Sequence, residues 1–213
     1  MPTTLRDEAA IVGIGETEYS KNSGRSELQL GCEALRAAIQ DCGVDPKEID
    51  GMSSFTMDGT DEIEMARALG IGELRFLSKA HHGGGAATAT LHQAAMAVAT
   101  GAANYVVCYR TLNGRSGHRF SMGVSGDMIT SDTIHYSWYM PSGLLTPASW
   151  VAMFHRRYMH KFGTTPEQLG AVALAIRDFA VTNPAAFFYE RPLTMDEYLE
   201  SKWIVDPFRL YDC

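Results

Sequence analysis

Apolar positions along this chain follow two rhythms. Short, nearly unbroken runs stand at 9–14 (AAIVGI), 51–55 (GMSSF), 74–78 (LRFLS) and 104–109 (NYVVCY). Runs of this length between turns predict strands, and the unbroken 9–14 run predicts a strand covered on both faces. The 51–55 run is more polar than the first. Between the runs, apolar residues return every three or four positions. Leu28, Cys32, Leu35, Ile39 and Cys42 share one face of a helix that Ser26 caps and Gly43 stops. Asp45-Pro46 opens a short helical turn. A second helix is expected over 61–69, with Asp61, Glu62 and Glu64 at its positive end and Gly70 and Gly72 after it. A third is expected over 86–100.

Strand and helix therefore alternate as far as residue 110. That order predicts an α/β domain, a parallel sheet with helices on both faces. The character changes at Thr111. Residues 111–147 are rich in Gly, Ser, Met and aromatics and have no period, the kind of long irregular stretch that is usually functional. Helices are expected over 148–162, stopped by Gly163, and over 165–181, broken by Asn183-Pro184. A short helix follows Thr194, and 203–210 is expected to be extended around Pro207. The change divides the chain into two expected domains, 1–110 and a mainly helical 111–213.

The helix over 86–100 is rich in alanine and carries no charge, which predicts burial on nearly all sides. The turn before it holds His81, His82, Gly83, Gly84 and Gly85. A helix N-terminus offers unpaired N–H groups and positive potential, and glycines let a ligand approach the backbone. Such a place can hold a phosphate or stabilise an oxyanion. Positive potential disfavours imidazolium, so a histidine there stays neutral and can serve as a general base or orient a carbonyl. It can equally cap the helix or bond a backbone carbonyl, and the residues alone leave both open. No Walker G-K-[ST] follows. Gly13 and Gly15 form G-x-G without a third glycine or an immediate helix, so they read as a turn leaving the first strand. Lys79 could form a Schiff base, but a lysine at a strand end is the plainer account.

Composition narrows the class. The 213 residues are 46% hydrophobic and 20% charged, the profile of a soluble globular protein. A net charge of −7 argues against nucleic acid as the main partner. It leaves room for a local basic patch, and Arg110, Arg115, Arg119, Arg156, Arg157 and Lys161 cluster in the sequence, with Lys79 upstream. No apolar run reaches the roughly 18 residues of a membrane span, and MPTTLRDEAA has no signal-peptide core. A cytoplasmic protein is the expectation. Of the four cysteines, Cys32, Cys42 and Cys108 fall inside apolar patterns and read as buried thiols; no CxxC pair is present.

The order IVGIG, a glycine-rich turn before an alanine-rich helix, then GAANYVVCYR resembles the thiolase superfamily. The branch it resembles holds the sterol-carrier-protein-type thiolases and the thiolase-like lipid-transfer aldolases of steroid side-chain degradation. The segment ASWVAMFHRRYMHKFGTTPEQLG and the later PLTMDEYLESKWIVDPFRLYDC are similar to that family's loop domain. The resemblance covers almost the whole chain. It implies a thiolase-like N-terminal half, a βαβαβ-type layered mixed sheet with a buried central helix, followed by a loop domain. It implies a homodimer through the central strand and helix, and a second thiolase half supplied by a further segment or another chain. The substrate it implies is a CoA thioester, with no other cofactor and no metal. Arg156 and Arg157 would meet the CoA phosphates, Leu144 and Leu145 would line the acyl and pantetheine pocket, and Gly83, Gly84 and Gly85 would lie at the reacting end.

Thiolases begin the central helix with a nucleophilic cysteine. With Gly85 aligned to the glycine of that motif, His82 takes the cysteine's place, and no cysteine lies between Cys42 and Cys108. Histidine does not replace a thiolate as attacking and leaving group. The resemblance then points to the family's cysteine-free aldolases, which cleave a β-hydroxyacyl-CoA by a retro-aldol step beside a small OB-fold, zinc-ribbon partner. His81 and His82 would be non-nucleophilic occupants of an oxyanion-type site, with the main acid–base residues expected outside this chain. An acyltransferase using another residue and a non-catalytic acyl-CoA-binding or scaffold subunit are the alternatives.

Overall fold

Local capping chemistry sets the first helix. In the computed structural model, which describes residues 5–55, 60–80, 87–114 and 137–213, α1 (Glu27–Cys42) starts where the Ser26 side chain accepts from the Gln29 N–H and ends at Gly43 with φ 71°. The chain divides into two compact units, residues 1–118 and 119–213.

In the first unit, β1 (Gly51–Phe55), β2 (Phe76–Ala80) and β3 (Val106–Cys108) form a parallel sheet in the order β2-β1-β3. Gly51 stands opposite Phe76 on one side and Val106 on the other. All five residues of the central strand are buried. Side chains alternate across a strand, so Met52 and Ser53 face opposite ways. Met52 joins Leu35 of α1 and Met65 and Ala66 of α2 (Glu62–Leu69) in the core, with Tyr109 beside them. The other side of the sheet is covered by α3 (Ala89–Ala99), which touches all three strands.

Two expectations for this unit fail. Residues 9–14 belong to no strand. They lie against α1, where Ile14 N–H donates to Asp41 Oδ2 at 3.0 Å. A methyl on Gly15 would overlap the helix backbone at Ala34 and Ala38. The G-x-G pair therefore serves close approach to a helix rather than a turn or a nucleotide. Ile11, Val12 and Ile14 face outward, exposed by 72%, 58% and 75%. An apolar run reports a preference for burial, while a strand needs a partner's hydrogen bonds, and no such partner lies among the described residues. The second failure concerns α3. Thr90, Ala94 and Ala97 are buried, but Leu91 and Met96 are 46% and 43% exposed. Its small residues bring one face close to the sheet, and among the described residues nothing covers the opposite face fully. Cys32, Cys42 and Cys108 are likewise only half-buried.

In the second unit, Thr146 and Ser149 cap each other reciprocally and open α4 (Pro147–Phe162), which Gly163 ends. Then come α5 (Pro166–Thr182) and α6 (Met195–Glu200). The stretch expected to be merely extended is a hairpin, β4 (Trp203–Val205) paired antiparallel with β5 (Phe208–Arg209), with a cis Asp206-Pro207 peptide between them. Arg177 is buried in α5, its guanidinium 3.8 Å from the Phe188 ring centroid and donating to Arg191 O. Among the described residues no helix is long and apolar enough to cross a membrane.

Candidate functional site

Strands running parallel put their C-terminal ends on one edge of a sheet, where α/β proteins bind ligands. Here those ends are Phe55, Ala80 and Cys108. His81 to Gly85 follow β2 directly in the sequence, so the candidate catalytic pair His81 and His82 and the glycines Gly83, Gly84 and Gly85 lie outside the described residues. The described residues give the bed formed by β2, β1 and the helices packed on them.

The bed is polar and hydrogen-bonded on both faces of the sheet. On the α3 face, Ser78 Oγ donates to Ser53 Oγ at 2.8 Å, and Ser53 Oγ donates to Gln93 Oε1 at 3.4 Å. Ser53 is wholly buried, so this row satisfies a hydroxyl that would otherwise cost stability. It ties β2 and β1 to the helix that follows the turn. On the opposite face, Ser54 Oγ donates to Glu62 Oε1, and Lys79 Nζ lies 3.2 Å from the same oxygen. Burial pushes the Glu62 carboxyl upward, but the Ser54 hydroxyl, a backbone N–H and the Lys79 ammonium outweigh it and hold it below the usual glutamate range. Lys79 is thus engaged in an ion pair, which argues against a Schiff base. Asp61 caps α2 by accepting from Ile63 and Glu64 N–H, the helix-start role expected of this acidic cluster.

A Glu62→Gln variant tests this arrangement. The carboxylate's contribution is present above the ordinary glutamate pKa of about 4.3 and is lost as pH falls through its lowered folded value. Urea denaturation is expected to show the variant less stable by about 1 kcal/mol at pH 7, with the gap closing in acid. A gap that widens in acid would contradict the assignment.

No activated thiol stands in this bed. Cys108, on β3, donates to Thr90 O at 3.5 Å, and burial pushes its pKa up. Burial also raises Cys32 and Cys213. A raised thiol is a poor source of thiolate.

The second unit gathers three of the sequence candidates. Leu144, Arg156 and Arg157 line one open groove along α4, together with Met153, His160 and Asp206. Leu145 lines no part of it and is 51% exposed. Arg156 donates to Asp206 Oδ2 at 2.9 Å, so this arginine is paired rather than free. Arg110 belongs to the first unit, where its guanidinium sits 5.1 Å over the Phe55 ring. Arg115 and Arg119 lie outside the described residues. Sequence reasoning missed the serine row, Asp206 and His160. The two serines inside the otherwise apolar GMSSF strand were the one available signal. Asp206 had none, since it meets Arg156 across 50 positions.

No family model matches the chain. A "Steroid side-chain-cleaving aldolase" of Thermomonospora curvata is 55% identical over 213 residues, covering 99% of this chain and 54% of that protein. The "17-hydroxy-3-oxo-4-pregnene-20-carboxyl-CoA lyase" of Mycobacterium tuberculosis is 52% identical over 211 residues, covering 98% of this chain and 55% of that protein. A solved structure, "Ltp2-ChsH2(DUF35) aldolase", matches with a TM-score of 0.87 at 55% identity, over 99% of this chain and 53% of its own. In sequence and, for the solved structure, in fold, this chain is similar to these proteins over nearly its whole length, and it spans about half the length of the curated relatives it matches.

Proposed function

We propose that this chain forms part of a carbon–carbon lyase that cleaves the side chain of a steroid β-hydroxyacyl-CoA by a retro-aldol step. The observation that carries the reading is the 55% and 52% identity, over nearly the whole chain, with relatives named for side-chain cleavage and for CoA lyase activity. The lack of any cysteine between Cys42 and Cys108 agrees with it, as does the raised Cys108 thiol.

The reaction balances without a nucleophile. A base takes the β-hydroxyl proton, and the bond between the α and β carbons breaks. Its electron pair moves onto the thioester as an enolate, and the β carbon becomes a carbonyl. The enolate then takes up a proton and leaves as a shorter acyl-CoA. Such a step needs hydrogen-bond donors where the enolate charge develops. His81, His82 and the backbone at Gly83, Gly84 and Gly85 are our candidates for that end, and Leu144, Leu145, Arg156 and Arg157 for binding the CoA thioester. No cofactor beyond the substrate's CoA is called for. The same reading includes a cytoplasmic homodimer through the central strand and helix, a second thiolase half, and a small OB-fold, zinc-ribbon partner. The solved relative is itself named as a two-protein aldolase.

The test is an assay of the chain with its partner on a steroid β-hydroxyacyl-CoA, with and without free CoA. Equal release of a ketone or aldehyde and a shorter acyl-CoA under both conditions is expected, and His82→Ala is expected to slow it. Turnover that requires free CoA would make the protein an acyltransferase. A His82→Ala variant as active as the wild type would remove that residue from the site.

A further inference from the structure

We infer that Arg110 contacts the substrate at its thioester oxygen and stabilises the enolate charge that develops there. This rests on the lyase reading above. Arg110 stands two residues past β3, at the edge of the sheet where the strands end and ligands bind. Its guanidinium lies 5.1 Å from the ring centroid of Phe55, the last residue of the central strand. Parallel pairing of Ser53 with Cys108 brings the ends of β1 and β3 together beneath it. The side chain is exposed, although its neighbours Tyr109 and Thr111 are both buried.

The backbone that presents Arg110 is pinned on both sides. Tyr109 N–H donates to Ser53 O at 3.3 Å, and the Thr111 and Thr60 hydroxyls bond each other at 3.3 Å. Further on, Asn113 Nδ2 donates to Arg25 O at 2.7 Å and Asn113 N–H to Glu27 Oε1 at 3.2 Å. A donor held in place this way needs little reorganisation when charge develops beside it. Lys79, the other cation near this edge, is engaged by Glu62. Arg110 has no acidic partner within 4.0 Å among the described residues. It borders a cavity of about 290 Å³, room for the thioester end of a substrate. Glu16 and Glu18 line the same cavity, but Glu16 accepts from the Tyr19 O–H and Glu18 from Arg25. A guanidinium offers several donors and stays protonated. Arg110 therefore meets the enolate oxygen by hydrogen bonding and gives up no proton; the base and the acid of the reaction are other groups.

The experiment compares wild type, Arg110→Gln and Arg110→Lys, each assembled with the partner. Two reactions are followed. One is cleavage of the steroid β-hydroxyacyl-CoA. The other is exchange of the α hydrogen of propionyl-CoA for deuterium in heavy water, which passes through an enolate without breaking a carbon–carbon bond. Arg110→Gln is expected to lower kcat for cleavage by about 100-fold, as loss of one donor to a developing oxyanion does, with KM within about threefold of wild type. Exchange is expected to slow by a similar factor. Arg110→Lys keeps the charge without the planar fork and is expected to recover part of both rates. The shape of the pH profile is expected to stay the same, because arginine does not titrate in the working range. The contact with Phe55 is a single one on an exposed side chain, so the thermal midpoint is expected to move by no more than about 4 °C. A raised KM with unchanged kcat would make Arg110 a binding residue for some other anionic group and overturn the assignment. Cleavage and exchange at wild-type rates in Arg110→Gln would overturn it as well, and in both cases side-chain cleavage stands. A wild-type complex that neither cleaves nor exchanges would overturn the lyase reading and this assignment with it.

Discussion

Asp50→Ala is expected to destabilise the unit of residues 1–118 by about 3 kcal/mol or more, since each buried donor left unpaired costs about 1–3 kcal/mol. The carboxyl sits just before β1 with its side chain 11% exposed. It accepts from Asn104 N–H at 2.7 Å, Asn104 Nδ2 at 2.9 Å and Tyr105 N–H at 3.0 Å, and Arg75 lies 3.4 Å away. The backbone at the same position accepts from Arg75 and Phe76 and donates to Tyr105 O. One residue therefore ties the start of the central strand to the starts of both neighbours. Alanine would leave the Asn104 and Tyr105 N–H groups without a partner.

Protonation is a milder form of the same loss. Burial alone would raise this carboxyl, but the N–H groups of Asn104 and Tyr105, the Asn104 side chain and Arg75 outweigh it and lower its pKa. A lowered carboxylate stabilises the fold above the ordinary aspartate value of about 3.9, and the benefit is lost as pH falls through the folded value. Denaturant midpoints measured from pH 7 down to pH 3 should show wild type approaching Asp50→Ala in acid. Parallel curves at every pH would contradict this account.

Gly170→Val is the counterpart in the other unit. A Cβ at Gly170 would stand 2.7 Å from two carbons of the Tyr198 ring and 2.8 Å from Met195 Sδ. Met195 could move, but the ring cannot. Tyr198 is 1% exposed, and its O–H donates to both oxygens of Asp212 at 2.8 and 3.0 Å. Valine would force α5 and α6 apart, and overpacking of this kind costs about 1–3 kcal/mol. All three tryptophans, Trp138, Trp150 and Trp203, lie in this unit. Tryptophan fluorescence should therefore record the lower unfolding midpoint directly. An unchanged midpoint would mean that the two helices are not held together at this point.

What the sequence determined by itself is local or compositional. Ser26, Thr146 and Thr194 start helices and Gly43, Gly70 and Gly163 end them, because a cap is a hydrogen bond or a left-handed turn within a few residues. The strand–helix alternation fixed the α/β class, and the missing cysteine was plain from the letters alone. Tertiary structure decided everything that depends on distant partners. The run at 9–14 has a strand's composition, yet pairing is a property of two segments, and here it lies on a helix. The uncharged α3 proved to be covered on one face only by the described residues, with Leu91 and Met96 exposed on the other. Ser53 became a link between β2 and α3, Glu62 the anchor of Ser54 and Lys79, and Arg156 the partner of Asp206, because folding joins residues 8 to 50 positions apart. No local pattern carries that information: charge and polarity name what a side chain can bond, and only the packed chain brings the partner within reach.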